Sequence, residues 1–177
     1  MYNGVTGLNY QRVKDRLCAD IPYERLEEIY REKTSFACTA SFSSLLFYQR
    51  RSLRRGGFFM RAPLDAEADR TDLAWAVLAD IACSTHEQLQ HLVELTGNEG
   101  GPILGCGGGF QSEALCQMLS DLSGRELRLR AGFRQATVQG LVTLCNDYLG
   151  EVPAKRDSAL KTYHPRTGQL IHQYAPA

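Results

Sequence analysis

No stretch of this sequence stays apolar for the roughly 18 residues that a membrane helix requires. The first residues, Met-Tyr-Asn-Gly-Val-Thr-Gly, lack both the basic start and the apolar core of a secretory leader. The expectation is a cytoplasmic protein without a membrane span. A charge excess is also missing, since 20 Lys and Arg balance 20 Asp and Glu. Balanced charge gives no general attraction to nucleic acid or to an anionic membrane. The six cysteines, Cys18, Cys38, Cys83, Cys106, Cys116 and Cys145, contain no Cys-x-x-Cys pair. That argues against a zinc ribbon or a thioredoxin-type site. Most of them lie in apolar segments and read as buried free thiols. Histidine is scarce. His86 and His91 are five positions apart, about 140° around a helix, and do not converge on a metal; His164 and His172 fall in the tail. No metal ligand is assigned. There is no internal repeat, low-complexity tract or Pro/Ser-rich linker.

What is present suits a single domain covering all 177 residues, with enough apolar sequence for a proper core. Residues 7–17 read as a helix, with Leu8, Val13 and Leu17 as inward positions. Pro22 opens a second helix near 23–33, which turns Leu26, Ile29 and Tyr30 inward. Residues 34–62 resist assignment. Within them, the Arg50-Arg-Ser-Leu-Arg-Arg55 cluster reads as a solvated helix end closed by Gly56 and Gly57, because no wider basic stripe accompanies it. Asp69-Arg-Thr-Asp72 is a helix start. The helix it opens runs from 71 to 95, carries Leu73, Val77 and Ile81, then Leu89, Leu92 and Val93, and the only tryptophan, Trp75, and ends at Gly97. A last helix near 135–149 turns Val138, Leu141, Val142, Cys145 and Leu149 inward and stops at Gly150. Residues 151–177 form a tail.

The chain is organised around residues 101–124. Residues 102–106, Pro-Ile-Leu-Gly-Cys, are a short apolar run of strand length. Gly107, Gly108 and Gly109 follow and permit backbone angles and close approaches that side chains forbid. A helix comes next. Ser112 is its N-cap, Leu115, Met118, Leu119 and Leu122 share one face, and Gly124 is its terminal glycine. The unit reads strand, glycine turn, helix, with a second strand at 126–130. The plainer reading is a tight turn with no ligand. A P-loop is excluded by the absence of its lysine. A dinucleotide fingerprint would use Gly105 and Gly107, but Phe110 stands at its third glycine, and the acid after the next strand is missing. Arg128 or Arg130 facing a 2′-phosphate keeps an NADP-binding alternative open.

Gly107-Gly-Gly-Phe-Gln-Ser-Glu-Ala-Leu-Cys-Gln-Met-Leu-Ser-Asp-Leu-Ser-Gly124 resembles the adenine-side motif of the FGGY carbohydrate kinases, members of the actin-like ATPase superfamily. Phe133-Arg-Gln-Ala-Thr-Val-Gln-Gly140 resembles the family's Glu-Ala-Thr-Ala-x-Gly segment, with Gln135 where the family has Glu. Thr162-Tyr-His-Pro165 is similar to its closing Tyr-x-Pro sequence, and Tyr10 stands at the Trp of an Asn-Trp-Leu helix. Residues 70–150 carry the likeness best; the chain is most similar to the rhamnulokinase and xylulokinase type. The resemblance implies an α/β fold, the helix-rich ribonuclease-H-like C-terminal lobe of an actin-like ATPase, short of its N-terminal strands. It implies ATP and Mg²⁺ as cofactors and a sugar or polyol as substrate. Gly107, Gly108, Gly109, Gln111 and Ser112 are the implied adenosine-side positions.

In that family the first phosphate loop, most sugar contacts and the catalytic aspartate come from segments with no counterpart here. Asp15, Asp20, Asp65, Asp69, Asp72, Asp80, Asp121 and Asp147 match none of them, so no catalytic residue is nominated. The expectation is a lobe inactive without an N-terminal lobe, which implies an apolar face for a separate lobe chain or for a homo-oligomer. The alternatives are a non-catalytic kinase remnant acting as an interaction protein, and the NADP-binding domain.

Overall fold

The computed structural model describes residues 6–42, 56–60, 62–63, 68–98, 100–151 and 159–166. Helices α1 (Thr6–Leu17) and α2 (Tyr23–Glu32) lead to a hairpin of β1 (Cys38–Ser41) and β2 (Gly57–Met60). The long α3 (Arg70–Thr96) follows, then β3 (Ile103–Gly105), α4 (Glu113–Ser123), β4 (Leu127–Arg130), α5 (Ala136–Leu149) and β5 (Ala159–Tyr163). The Arg50–Arg55 cluster, Asp65 and His172 lie outside the described residues.

Helix α3 is the axis of the core. Asp69 starts it: its carboxylate accepts from the Thr71 and Asp72 amides, while Asp72 accepts from the Asp69 amide. This reciprocal cap satisfies donors that a helix start leaves open. Gly97 stops the helix in the left-handed region, φ 66°. From Ala74 through Ala82 every residue is buried. Alanines at 74, 76, 79 and 82 leave the helix thin, so α1, α4 and β1 all pack closely against it. Trp75 fills the space beneath α2. Its ring stacks on Phe36 with centroids 4.1 Å apart and lies nearly parallel to Tyr30 on a 6.5 Å separation. Lys33 donates to the buried Asp72 carboxylate at 2.5 Å, so that charge is paired as burial requires.

Strands β3 and β4 run parallel, with Ile103 opposite Leu127 and Gly105 opposite Leu129; β5 pairs antiparallel with β4. Leu127 and Leu129 face the core, whereas Arg128 and Arg130 face out, the two-residue alternation of a half-buried strand. The C-terminal strand is held through α4. Ser120 donates its hydroxyl to the Arg125 and Tyr163 carbonyls. Asp121 accepts from the Arg166 amide at 2.9 Å and from its guanidinium at 2.8 Å. Asp121 thereby ties α4 to the segment that follows β5.

Several sequence expectations differ from the structure. Leu8 is exposed, and the hairpin β1–β2 and strand β5 occupy stretches that had no assigned structure. Cys106 and Cys145 are exposed, so only part of the cysteine set is buried. Helix α5 forms where expected, but Val138, Leu141, Val142, Cys145 and Leu149 are all exposed, together with Leu144 and Tyr148. The periodicity is real, yet among the described residues nothing covers the face it builds.

Candidate functional site

The glycine turn sits between the end of β3 and the start of α4. A Cβ on Gly105 would lie 2.7 Å from Leu129 Cδ2 and 2.9 Å from Phe110 Cδ1. Phe110, the residue that breaks the dinucleotide fingerprint, thus packs against a position that must be glycine. Gly107 has φ 103° and ψ 169°, a region essentially reserved for glycine. The chain then makes a short 3₁₀ turn, Gly108–Gln111, before Ser112 caps α4 by accepting from the Leu115 amide at 3.2 Å. Gln111 folds back to donate to the Gly108 carbonyl.

The two sequence motifs meet here. The Gly107 amide donates to the Phe133 carbonyl at 2.7 Å, joining the glycine turn to the turn that opens α5. Gln135 is exposed at that junction and forms no side-chain cap on α5. All five candidate residues, Gly107, Gly108, Gly109, Gln111 and Ser112, therefore fall on one continuous bend. Sequence reasoning missed Glu27 on α2. Its carboxylate accepts from the Ala114 amide in the first turn of α4 at 2.9 Å, a contact 87 positions apart in sequence with no local signal.

The electrostatics decide what kind of group this bend suits. A bare helix N-terminus attracts phosphate. Here Ser112 and the Glu27 carboxylate already take two of the amides, and Glu113 adds a second acid. Lys161 beside Glu113 holds its carboxyl below the ordinary range against partial burial, and so keeps it ionised. The Ser112 and Glu27 acceptors occupy amides that a phosphate at a bare helix terminus would use. Gly108 and Gly109 are exposed, and a Cβ on either would meet only Gln111 Nε2 at 3.7 Å or Leu115 Cδ2 at 3.9 Å. The space above them is open to a ligand. No three His, Cys, Asp or Glu side chains converge among the described residues. The carboxylates nearest the turn, Glu27 and Glu113, already serve amide, Lys161 and Arg31 donors. This donor set does not fit Mg²⁺.

Cys106 is an exposed thiol directly before the turn. Burial pushes the Cys38 thiol up to about 11 and the Cys83 and Cys116 thiols up to about 12, and raises Cys18 as well. Only a thiolate reacts readily. A disulfide exchange reagent at neutral pH should therefore modify Cys106 and Cys145 ahead of the other four. A nucleotide seated on the turn should slow Cys106 and leave Cys145 unchanged, as read by mass spectrometry of the labelled peptides.

The sequence profile of the C-terminal domain of the FGGY family of carbohydrate kinases matches residues 24–146. The chain belongs to the FGGY family of carbohydrate kinases. "Putative sugar kinase YoaC" of Bacillus subtilis (strain 168) is 38% identical over 169 residues, a match covering 94% of this chain and 34% of that protein. Among solved structures, Plasmodium falciparum glycerol kinase with ADP superposes with a TM-score of 0.72 at 19% identity, over 92% of this chain and 33% of that one. Rhodospirillum rubrum xylulose kinase gives 0.66 at 13% identity, over 95% and 36%. The fold is that of the C-terminal lobe of an actin-like ATPase, and the chain spans about a third of the length of these FGGY relatives. Kinase, transferase and carbohydrate-kinase kinship are thus established at the level of the family. Among the described residues no helix is long and apolar enough to cross a membrane.

Proposed function

We propose that this chain is the adenosine-side lobe of an ATP-dependent kinase that phosphorylates a sugar or polyol hydroxyl. The observation carrying this reading is the amide of Gly107 bonded to the Phe133 carbonyl, which joins both family motifs in one bend with an open backbone at Gly108 and Gly109. In this reading the backbone of Gly107, Gly108 and Gly109 lies against adenine and ribose, and Ser112 and Gln111 border the base. Because Ser112 and Glu27 already occupy amides of the α4 terminus, the phosphates lie away from it in this reading. Mg²⁺, the base for the sugar hydroxyl and the sugar contacts then belong to the remaining two-thirds of the kinase length, on the same polypeptide or on a separate one. The exposed apolar residues of α5 supply a face for such a lobe, or for a second copy. The NADP alternative is weaker, because Arg128 is tied to Glu126 at 2.7 Å and Phe110 fills the third-glycine position.

The expected result is that the 177-residue chain alone transfers no phosphate. A coupled ADP-release assay with glycerol, xylulose and rhamnulose checks this. Sugar-dependent turnover by the pure chain would contradict the assignment of the catalytic groups to another lobe. The same face of α5 also suits a non-catalytic interaction protein, which failure to bind ATP together with stable capture of a partner lobe would favour.

A further inference from the structure

Helix α4 is held at its start from outside as well as from within. A helix start leaves its first amides without intrahelical partners. Ser112 takes the Leu115 amide through its hydroxyl, as an N-cap does, and its carbonyl takes the Cys116 amide. The Ala114 amide goes to a different element. The Glu27 carboxylate of α2 accepts from it at 2.9 Å. A carboxylate on a helix-start amide makes a charge-assisted bond, stronger than a neutral one, and meets the positive end of the helix dipole.

Two ion pairs flank this bond. Arg31, four positions after Glu27 on the same face of α2, reaches Glu113 at 3.4 Å. Lys161 of β5 donates to the other Glu113 oxygen. Both pairs join exposed side chains, and exposed pairs do little to fix a structure. Glu27 is half-buried and grips backbone instead of a side chain. The glycine turn is fastened to the same first turn of α4. Ser112 closes the 3₁₀ turn and caps α4, and its amide donates to the Gly109 carbonyl at 3.2 Å. The Cys116 thiol donates to the Phe110 carbonyl at 3.5 Å. A displacement of the α4 start is therefore passed to Gly109 and Phe110.

We propose that Glu27 is a positioning residue of the adenosine site. By holding the Ala114 amide it fixes the start of α4 and, through Ser112 and Cys116, the bend from Gly107 to Ser112. The proposal rests on the reading that adenosine lies on that bend.

Glu27→Ala, Glu27→Gln and Glu27→Asp are compared with the wild-type chain by ¹⁵N nuclear magnetic resonance and by ADP titration. Gln keeps an acceptor oxygen at the same reach. Asp keeps the charge but withdraws it by one methylene. Glu27→Ala should speed exchange of the Ala114 amide and weaken ADP binding, each at least about fivefold, as the loss of one net hydrogen bond implies. The amides of Gly109, Phe110 and Ser112 should shift in the same variant. Glu27→Asp should follow Glu27→Ala, and it carries the test where Glu27→Ala lowers the folded fraction. Glu27→Gln should recover most of the affinity. Tyr10→Phe removes the Tyr10–Tyr30 hydroxyl bond and is the stability control. It should lower the unfolding midpoint and leave ADP affinity unchanged. Unchanged affinity in folded Glu27→Ala and Glu27→Asp, an equal loss in Glu27→Gln, or an equal loss in Tyr10→Phe would overturn the role of Glu27 and leave the adenosine reading standing. A wild-type chain that binds ADP away from the bend, or not at all, would contradict that reading and the proposal with it.

Discussion

Trp75→Ala is expected to destabilise the lobe by about 3–5 kcal/mol, the usual cost of truncating a large buried aromatic side chain. That is a large part of the roughly 5–15 kcal/mol available to a native domain. Trp75 is 3% exposed, and its ring lies between Phe36 and Tyr30. Tyr30 in turn shares a hydroxyl hydrogen bond with Tyr10 at 3.1 Å, so the stack ties α1 and α2 to α3. The Lys33 ammonium sits 5.8 Å from the indole centroid while it bonds to Asp72. Alanine removes the group that all of these elements share, and neighbouring helices cannot close the void without moving. Thermal and urea unfolding check the effect; at roughly 2–4 °C per kcal/mol the midpoint should fall by about 6–20 °C. A loss under about 1 kcal/mol would mean that this stack is not the centre of the core.

Gly108→Val should do the opposite, leaving the fold and removing the ligand. The Cβ of residue 108 has only Gln111 Nε2 at 3.7 Å as a neighbour, and no positive φ is imposed on that residue. The protein itself has room for the side chain, so the expected stability change is about 1 kcal/mol or less, roughly 2–4 °C in midpoint. The valine methyls, however, project into the space where the backbone would lie against adenosine. Calorimetric ATP affinity should fall more than about tenfold, a loss above about 1.4 kcal/mol. Gly107→Val is a poorer probe, because φ 103° strains any side chain and would mix folding with binding. Unchanged ATP affinity in folded Gly108→Val would move adenosine off this turn.

The parts of this lobe that were legible in the sequence are those whose signals are local. Ser112 and Gly124 bound α4, and Asp69 and Gly97 bound α3, because caps and left-handed stops are written in single residues. The glycine turn was legible for the same reason. The hairpin β1–β2 was not. Its strands, Cys38–Ser41 and Gly57–Met60, are four residues each and far apart in sequence, and short strands draw their stability from what they pack against. Strand β5 is held by Ser120 and Asp121, contacts more than forty positions distant. Glu27 could not be read as part of the site, since nothing near it in sequence announces the Ala114 amide.

Helix α5 is the most instructive departure. Val138, Leu141, Val142, Cys145 and Leu149 carry a regular apolar period, and the sequence correctly predicts the helix. A period records that a face needs covering; it does not say what covers it. Here the described residues leave that face exposed. A lobe spanning about a third of its relatives' length would present such a face to the rest of the kinase, and the sequence pattern is the same either way.

The central claim is that adenosine lies on the bend formed by Gly107, Gly108, Gly109, Gln111 and Ser112. The most direct measurement is a nuclear magnetic resonance titration of the ¹⁵N-labelled chain with ADP, followed at the backbone amides. The account predicts saturable shifts that are largest at Gly107, Gly108, Gly109 and Ser112, extend to Phe133 across the Gly107 hydrogen bond, and are absent from the remote end of α4 at Ser123. Saturation without any shift on that bend, or tighter binding of NADP than of ADP at the same residues, would contradict it.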